Sequence, residues 1–135
     1  MEETEYYALY YHNSHVENIN QGGRPMKLRQ IISELALTQY SVDEKELDTE
    51  VHTAYCGDLL SDVMAHVPED SAWFTVLAHL NIVAVAQLRD VACVIIVNGA
   101  EPDKQTVDKA REQGVVILGS KENSAQLCMK LSGKL

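Results

Sequence analysis

From Lys27 onward, apolar and polar positions alternate in blocks that change period, and each change marks a predicted element. Leu28, Ile31, Ile32 and Leu35 recur at i, i+3, i+4 and i+7 and predict a helix with one apolar face. Thr38 to Val42 reads as a short edge strand, the acidic Asp43 to Glu50 as a connection, and Val51 to Cys56 as a second strand. A helix follows, with Leu59, Leu60, Val63, Met64 and Val67 on its buried face and Asp58, Ser61 and Asp62 opposite, stopped by Pro68. Trp73 to Leu77 predicts a third strand, and Asn81 is placed to cap a strongly apolar helix from Ile82 to Arg89. The continuous run Ala92 to Val97, rich in β-branched residues, predicts a central parallel strand covered on both faces. Asp103 can cap a helix through Gln113, Gly114 can close it in the left-handed conformation, and Val115 to Leu118 makes the last strand. A final helix brings Leu127, Cys128 and Leu131 together. The repeated order of strand, short loop and helix predicts an α/β fold. Its mainly parallel sheet has helices on both faces, a three-layer βα repeat with right-handed crossovers.

In this class, ligands bind beyond the carboxyl ends of the strands, where this chain places its polar junctions. The candidate ligand-binding residues are Gly57, Asp58, Ser61, Asp62, His79, Asn81, Asn98, Gly99 and Ser120. Each also has a plain structural explanation. Asp58 can cap the first-turn amides, with Ser61 and Asp62 on a solvated face, or the three can face a polar ligand or a hydrated cation. Gly57 serves either a positive φ or close approach of a ligand to the backbone. His79 can be a structural hydrogen-bonding residue or an ionisable group at the rim. Asn98-Gly99 reads as a tight turn, with a phosphate-facing backbone as the alternative. The chain contains no Gly-x-x-x-x-Gly-Lys-Ser/Thr loop, no Gly-x-Gly-x-x-Gly fingerprint and no Gly-x-Ser-x-Gly elbow, so no catalytic residue is assigned and a non-enzymatic role is expected.

A length of 135 residues with 46% hydrophobic content suits one core of ordinary size. The balance of 20 acidic against 11 basic residues, a formal charge of −9, opposes bulk electrostatic binding to nucleic acid or an anionic membrane while leaving a local phosphate site open. There is no spanning apolar run, and Glu2, Glu3 and Glu5 make a poor secretory leader, so a cytoplasmic protein is expected. Cys56, Cys93 and Cys128 are widely separated and show no metal-binding or cluster-binding spacing; a disulfide framework is not expected. Cys93 and Cys128 read as small buried hydrophobes, and Cys56 abuts the candidate site. The five histidines offer no convincing ligand spacing either, and no metal or iron–sulfur motif is assigned.

Residues 1–25 differ from the remainder. Tyr6, Tyr7, Tyr10 and Tyr11 precede a polar stretch from Asn13 to Arg24, which reads as an appendage to a domain covering 26–135. Two readings stand side by side: a native arm whose tyrosines pack on the domain or a partner, and a mis-assigned start with Met26 as the true initiator, since Gln21-Gly22-Gly23 can be encoded by a purine-rich ribosome-binding sequence.

The segments Gly57-Asp58-Leu59-Leu60-Ser61-Asp62-Val63-Met64, His79 to Ala86 and Ile95-Ile96-Val97-Asn98-Gly99 together resemble the DRTGG domain, over approximately Met26 to the C-terminus. The letters that name the family do not occur intact; the corresponding approach is Asp48 to Gly57. The resemblance implies a regulatory or subunit-contact module, of the kind found beside CBS modules in regulated pyrophosphatases, and a fold similar to the N-terminal domain of HPr kinase. Stand-alone members are associated with iron-only hydrogenase systems, which implies an alternative role as an accessory interaction protein in assembly or redox regulation, with a hydrogenase-related partner. The leading expectation is a non-catalytic module, possible as a homodimer, that binds a small polar or nucleotide-like ligand and mediates subunit or partner contacts.

Overall fold

The computed structural model describes residues 24–135. The tyrosine-rich segment, apart from Arg24 and Pro25, lies outside the described residues, as do both readings of it. A five-stranded sheet has the order β2-β7-β6-β5-β4, from β2 (Thr38–Ser41), β4 (Thr53–Cys56), β5 (Ser71–Thr75), β6 (Cys93–Ile96) and β7 (Ile117–Gly119). The pairs β4·β5, β5·β6 and β6·β7 are parallel and edge strand β2 runs antiparallel to β7. A small antiparallel pair joins β1 (Met26–Lys27) to β3 (Glu50–Val51). The expected mainly parallel α/β sheet, with Ala92 to Val97 at its centre, is the one observed.

Side-chain alternation along the strands sorts the helices into two layers. On one face, Ala72, Phe74, Cys93, Ile95 and Leu118 pack with Leu28, Ile31 and Leu35 of α1 (Leu28–Leu35) and with Leu127 and Leu131 of α5 (Ser124–Leu131). On the other, Trp73, Val94, Ile96 and Ile117 meet three helices: α2 (Leu60–His66), α3 (Asn81–Leu88) and α4 (Lys104–Gln113). Phe74 and Trp73 are both fully buried, on opposite faces, and truncating either to Ala costs roughly 3–5 kcal/mol by the usual core-truncation scale.

Several boundaries differ from the sequence expectation for identifiable reasons. The strand expected from Val51 to Cys56 is split, because Val51 pairs with Met26 whereas Thr53 pairs with Ser71; between them His52 donates its N–H to the Asp70 carbonyl. The strand expected from Trp73 to Leu77 is Ser71–Thr75 and ends where the Val76 N–H is taken by the Asp58 carboxylate. The last strand starts at Ile117 rather than Val115: buried Ser41, at a register irregularity in β2, uses Oγ to donate to the Val115 carbonyl and to accept from the Ile117 N–H.

Leu59 and Met64 do not belong to the buried face assigned to them; Leu59 is 66% exposed and Met64 36%. A seven-residue helix presents one i, i+4 row to the sheet, and Val63 with Val67 just beyond the helix fill that row. The α3 helix is likewise one-sided, with Ile82, Val83, Val85 and Ala86 buried and Leu88 67% exposed. At α4 the expectation holds in detail: Asp103 accepts from the Thr106 N–H at 2.8 Å and Gly114 closes the helix at φ 70°.

Candidate functional site

Parallel strands β4, β5, β6 and β7 all deliver their carboxyl ends to one edge of the sheet, so polar junctions remote in sequence become neighbours along a rim. The first half of the rim lies over β4 and β5. Gly57 donates its N–H to the Phe74 carbonyl and its own carbonyl accepts the Trp73 indole N–H at 2.9 Å. Asp58 Oδ1 accepts from Thr75 Oγ1 at 2.9 Å and from the Val76 N–H at 2.8 Å. Asp58 is therefore a clasp between the β4 and β5 ends and not the helix cap expected from sequence; Leu59 occupies the cap position of α2 with no side-chain cap bond.

Gly57 does not have a positive φ, the first of its two readings. Its lack of a side chain answers to packing: a Cβ there would sit 3.1 Å from the Tyr55 ring and 3.2 Å from Val63 Cγ2. Ser61 and Asp62 lie on the exposed side of α2. Asp62 accepts from the Tyr55 hydroxyl at 2.6 Å and contacts His66 Nδ1 at 3.1 Å, so its carboxylate spans strand and helix.

The second half lies over β6 and β7. Asn98 and Gly99 adopt φ of 60° and 71°, the left-handed conformation that an Asn-Gly turn requires. Their N–H groups donate to the Glu122 and Ser120 carbonyls, at 3.0 and 2.9 Å. These two donors hold the β7 loop, so an anion here would need others. Ser120 Oγ accepts from the Glu122 N–H, and the Lys121 side chain passes over Gly99, close enough that a Cβ on the glycine would lie 4.0 Å from Lys121 Cγ. Lys121 adds a cation to this rim. It was missed from sequence because a single lysine beside Ser120 has no motif around it.

His79 lies in the connection between β5 and α3 and Asn81 is the first residue of α3, and both are exposed. Asn81 is not the expected cap: Leu80 holds that position, in right-handed conformation and without a side-chain cap bond. His79 is near enough to Asp103 to favour its ionised form; the principal cause of that carboxyl's lowered pKa is the hydrogen bond from the Thr106 amide. A shallow groove of about 550 Å³ runs beside this connection, lined by Leu80, Lys104, Gln105, Asp108, Lys109 and Glu112. None of the nine residues singled out from sequence lines it. Lys104 pairs with Asp108 and Lys109 with Glu112 along α4, so its cations are already balanced and it reads as a solvated helix face. Among the described residues no group of three or more His, Cys, Asp or Glu side chains is arranged to hold a metal.

Cys56, at the end of β4, is exposed, and its Sγ lies 3.5 Å from Cys128 Sγ on α5. Cys128 is half-buried, less enclosed than expected, and burial together with the neighbouring Cys56 thiol pushes its pKa up to about 12. Cys93 is fully buried as expected, and desolvation alone raises it to about 12. Among the described residues no helix is long and apolar enough to cross a membrane.

The architecture is that of an α/β domain with a DRTGG-like fold, as the similarity to a solved structure shows. Among solved structures the chain is similar to the CBS and DRTGG domains of the regulatory region of Clostridium perfringens pyrophosphatase, complexed with the activator diadenosine tetraphosphate, at TM-score 0.65 and 13% identity. The match covers 81% of this chain and 47% of that one, so this chain spans about half the length of the structure it matches. No family model and no curated relative matches the sequence.

Proposed function

We propose that this protein is a non-catalytic regulatory module that binds a small polar or nucleotide-like ligand at the rim and passes the binding event to a second subunit or partner. The observation that carries this reading is that Gly57-Asp58, Asn98-Gly99 and Ser120-Lys121 follow β4, β6 and β7, parallel strands whose carboxyl ends lie at one edge of the sheet. In this reading the exposed Lys121 supplies a cation for a phosphate, and Ser61, His79, Asn81 and the half-buried Ser120 are the polar side chains offered by the connections that follow the strands. The activator in the similar regulatory region supports a nucleotide-like ligand. Exposed Leu59, Val76 and Leu80 give the neighbourhood of the rim an apolar component suited to a subunit contact, including a homodimer. The domain responsible is residues 26–135. A role as an accessory protein of an iron-only hydrogenase system is carried by the family resemblance alone.

Trp73, the chain's one tryptophan, gives a direct test because its indole N–H is bonded to the Gly57 carbonyl. Diadenosine tetraphosphate and mononucleotides should raise the melting temperature and change Trp73 emission, with Lys121→Ala weakening both responses. The absence of any shift or emission change across these ligands at millimolar concentration would overturn the reading.

A further inference from the structure

We propose that Cys56 and Cys128 form a thiol–disulfide exchange site that reacts with low-molecular-weight disulfides and closes into an intramolecular disulfide. The fold creates the pair. Ala54 and Cys56 are two residues apart on β4 and so point to the same face of the sheet, the face that α5 covers; Ala54 and Cys128 both pack against the core cluster there. Cys128 lies in the second turn of α5 and reaches the outer strand at its carboxyl end, which leaves the two sulfurs 3.5 Å apart although 72 residues separate them. A disulfide needs about 2.05 Å, a closure of roughly 1.5 Å that side-chain rotation at an exposed strand end can supply.

The two thiols are unequal in a way that orders the reaction. Cys56 is exposed and meets the incoming disulfide; Cys128 is half-buried behind it, in the position of a resolving thiol. The Cys56 thiolate attacks one sulfur of the small disulfide, a sulfur–sulfur bond forms to the protein, and the other half departs as a thiolate with the electron pair. Cys128 then loses its proton and attacks the Cys56 sulfur, forming the Cys56–Cys128 bond and expelling the second half. The protein dithiol is oxidised by two electrons, the small disulfide is reduced to two thiols, and the two protons lost by the cysteines end on those thiols. Cys93, buried in the same core cluster, stays out of reach. The bridge would tie the residue preceding Gly57 to the helix that follows the Ser120–Asn123 loop, across the two halves of the rim.

The test uses the reduced full chain, incubated anaerobically with oxidised glutathione and then digested without reductant. The expected result is loss of two of the three thiols, a linked Cys56–Cys128 peptide, no glutathione retained, and reversal by dithiothreitol. Cys128→Ser should instead hold glutathione as a stable mixed disulfide on Cys56, whereas Cys93→Ser should still close the bridge. A wild-type protein that retains glutathione, that cross-links only between chains, or that keeps all three thiols would overturn the proposal, and each outcome is read on the unmutated protein.

Discussion

The two halves of the strand-end rim are fastened by different chemistry. Over β4 and β5 the fastening is a side chain, with one Asp58 oxygen accepting from a buried threonine hydroxyl and a backbone amide. Over β6 and β7 it is backbone, with the N–H groups of Asn98 and Gly99 turned onto the Glu122 and Ser120 carbonyls. A side-chain clasp depends on one residue's chemistry and is lost whole when that residue is truncated. A backbone clasp depends on one residue's φ and survives loss of its side chain, provided that the left-handed conformation can still be reached.

The sharpest way to break the comparison is Asp58→Ala. It removes the acceptor for Thr75 Oγ1 and the Val76 N–H and should destabilise by about 2–3 kcal/mol, whereas Asp58→Asn keeps an acceptor oxygen and should cost less than half of that. Urea unfolding followed through Trp73 emission measures both, and equal losses in the two variants would mean that the charge, not the clasp, is what matters. Asn98→Ala tests the other half. It should cost about 1 kcal/mol through backbone strain at φ 60°, and Asn98→Gly should restore the loss. If glycine fails to restore it, the Asn98 side chain holds the turn and the contrast between the two halves disappears.

The smallest effect belongs to Asp103, which fastens the start of α4 rather than either pair of strands. The Thr106 amide holds its carboxyl below the usual range, with nearby His79 adding to the effect. A group whose folded pKa is depressed contributes stability that is fully present above its unfolded value and is lost as pH falls through the folded one. Stability should therefore rise with pH across the acidic carboxylate range, and Asp103→Asn should flatten part of that rise in a series of urea midpoints. Identical slopes for the two proteins would remove the ionised cap from the account.

The same contrast explains how much of the site could be read beforehand. The Asn98-Gly99 turn and the Asp103 cap with its Gly114 stop were legible because each is decided within three or four residues of chain. The place of the Ala92 to Val97 run at the centre of the sheet was legible as well, since only a strand covered on both faces carries apolar residues without alternation. Asp58 looked like a cap because its neighbours in sequence are helical amides, yet its partners lie 17 and 18 residues away, at the last residue of β5 and the one after it. Gly57 pointed to a positive φ or to a ligand close to the backbone; its φ is not positive, and the space beside it is taken by Tyr55 and Val63. Leu59 and Met64 carried the right period for burial, but a helix of two turns has only one row to bury.

What the sequence by itself determined is the alternation of strands and helices, the parallel core, the Asp103 cap with its Gly114 stop and the Asn98-Gly99 turn, because those follow from side-chain period and from backbone preferences over a few residues. The tertiary structure alone decided which polar groups meet: Asp58 with Thr75, Tyr55 with Asp62, and Cys56 with Cys128 across 72 residues. Their encounter depends on strand order, on register and on which face of the sheet α5 covers, and these are settled only when the whole core packs.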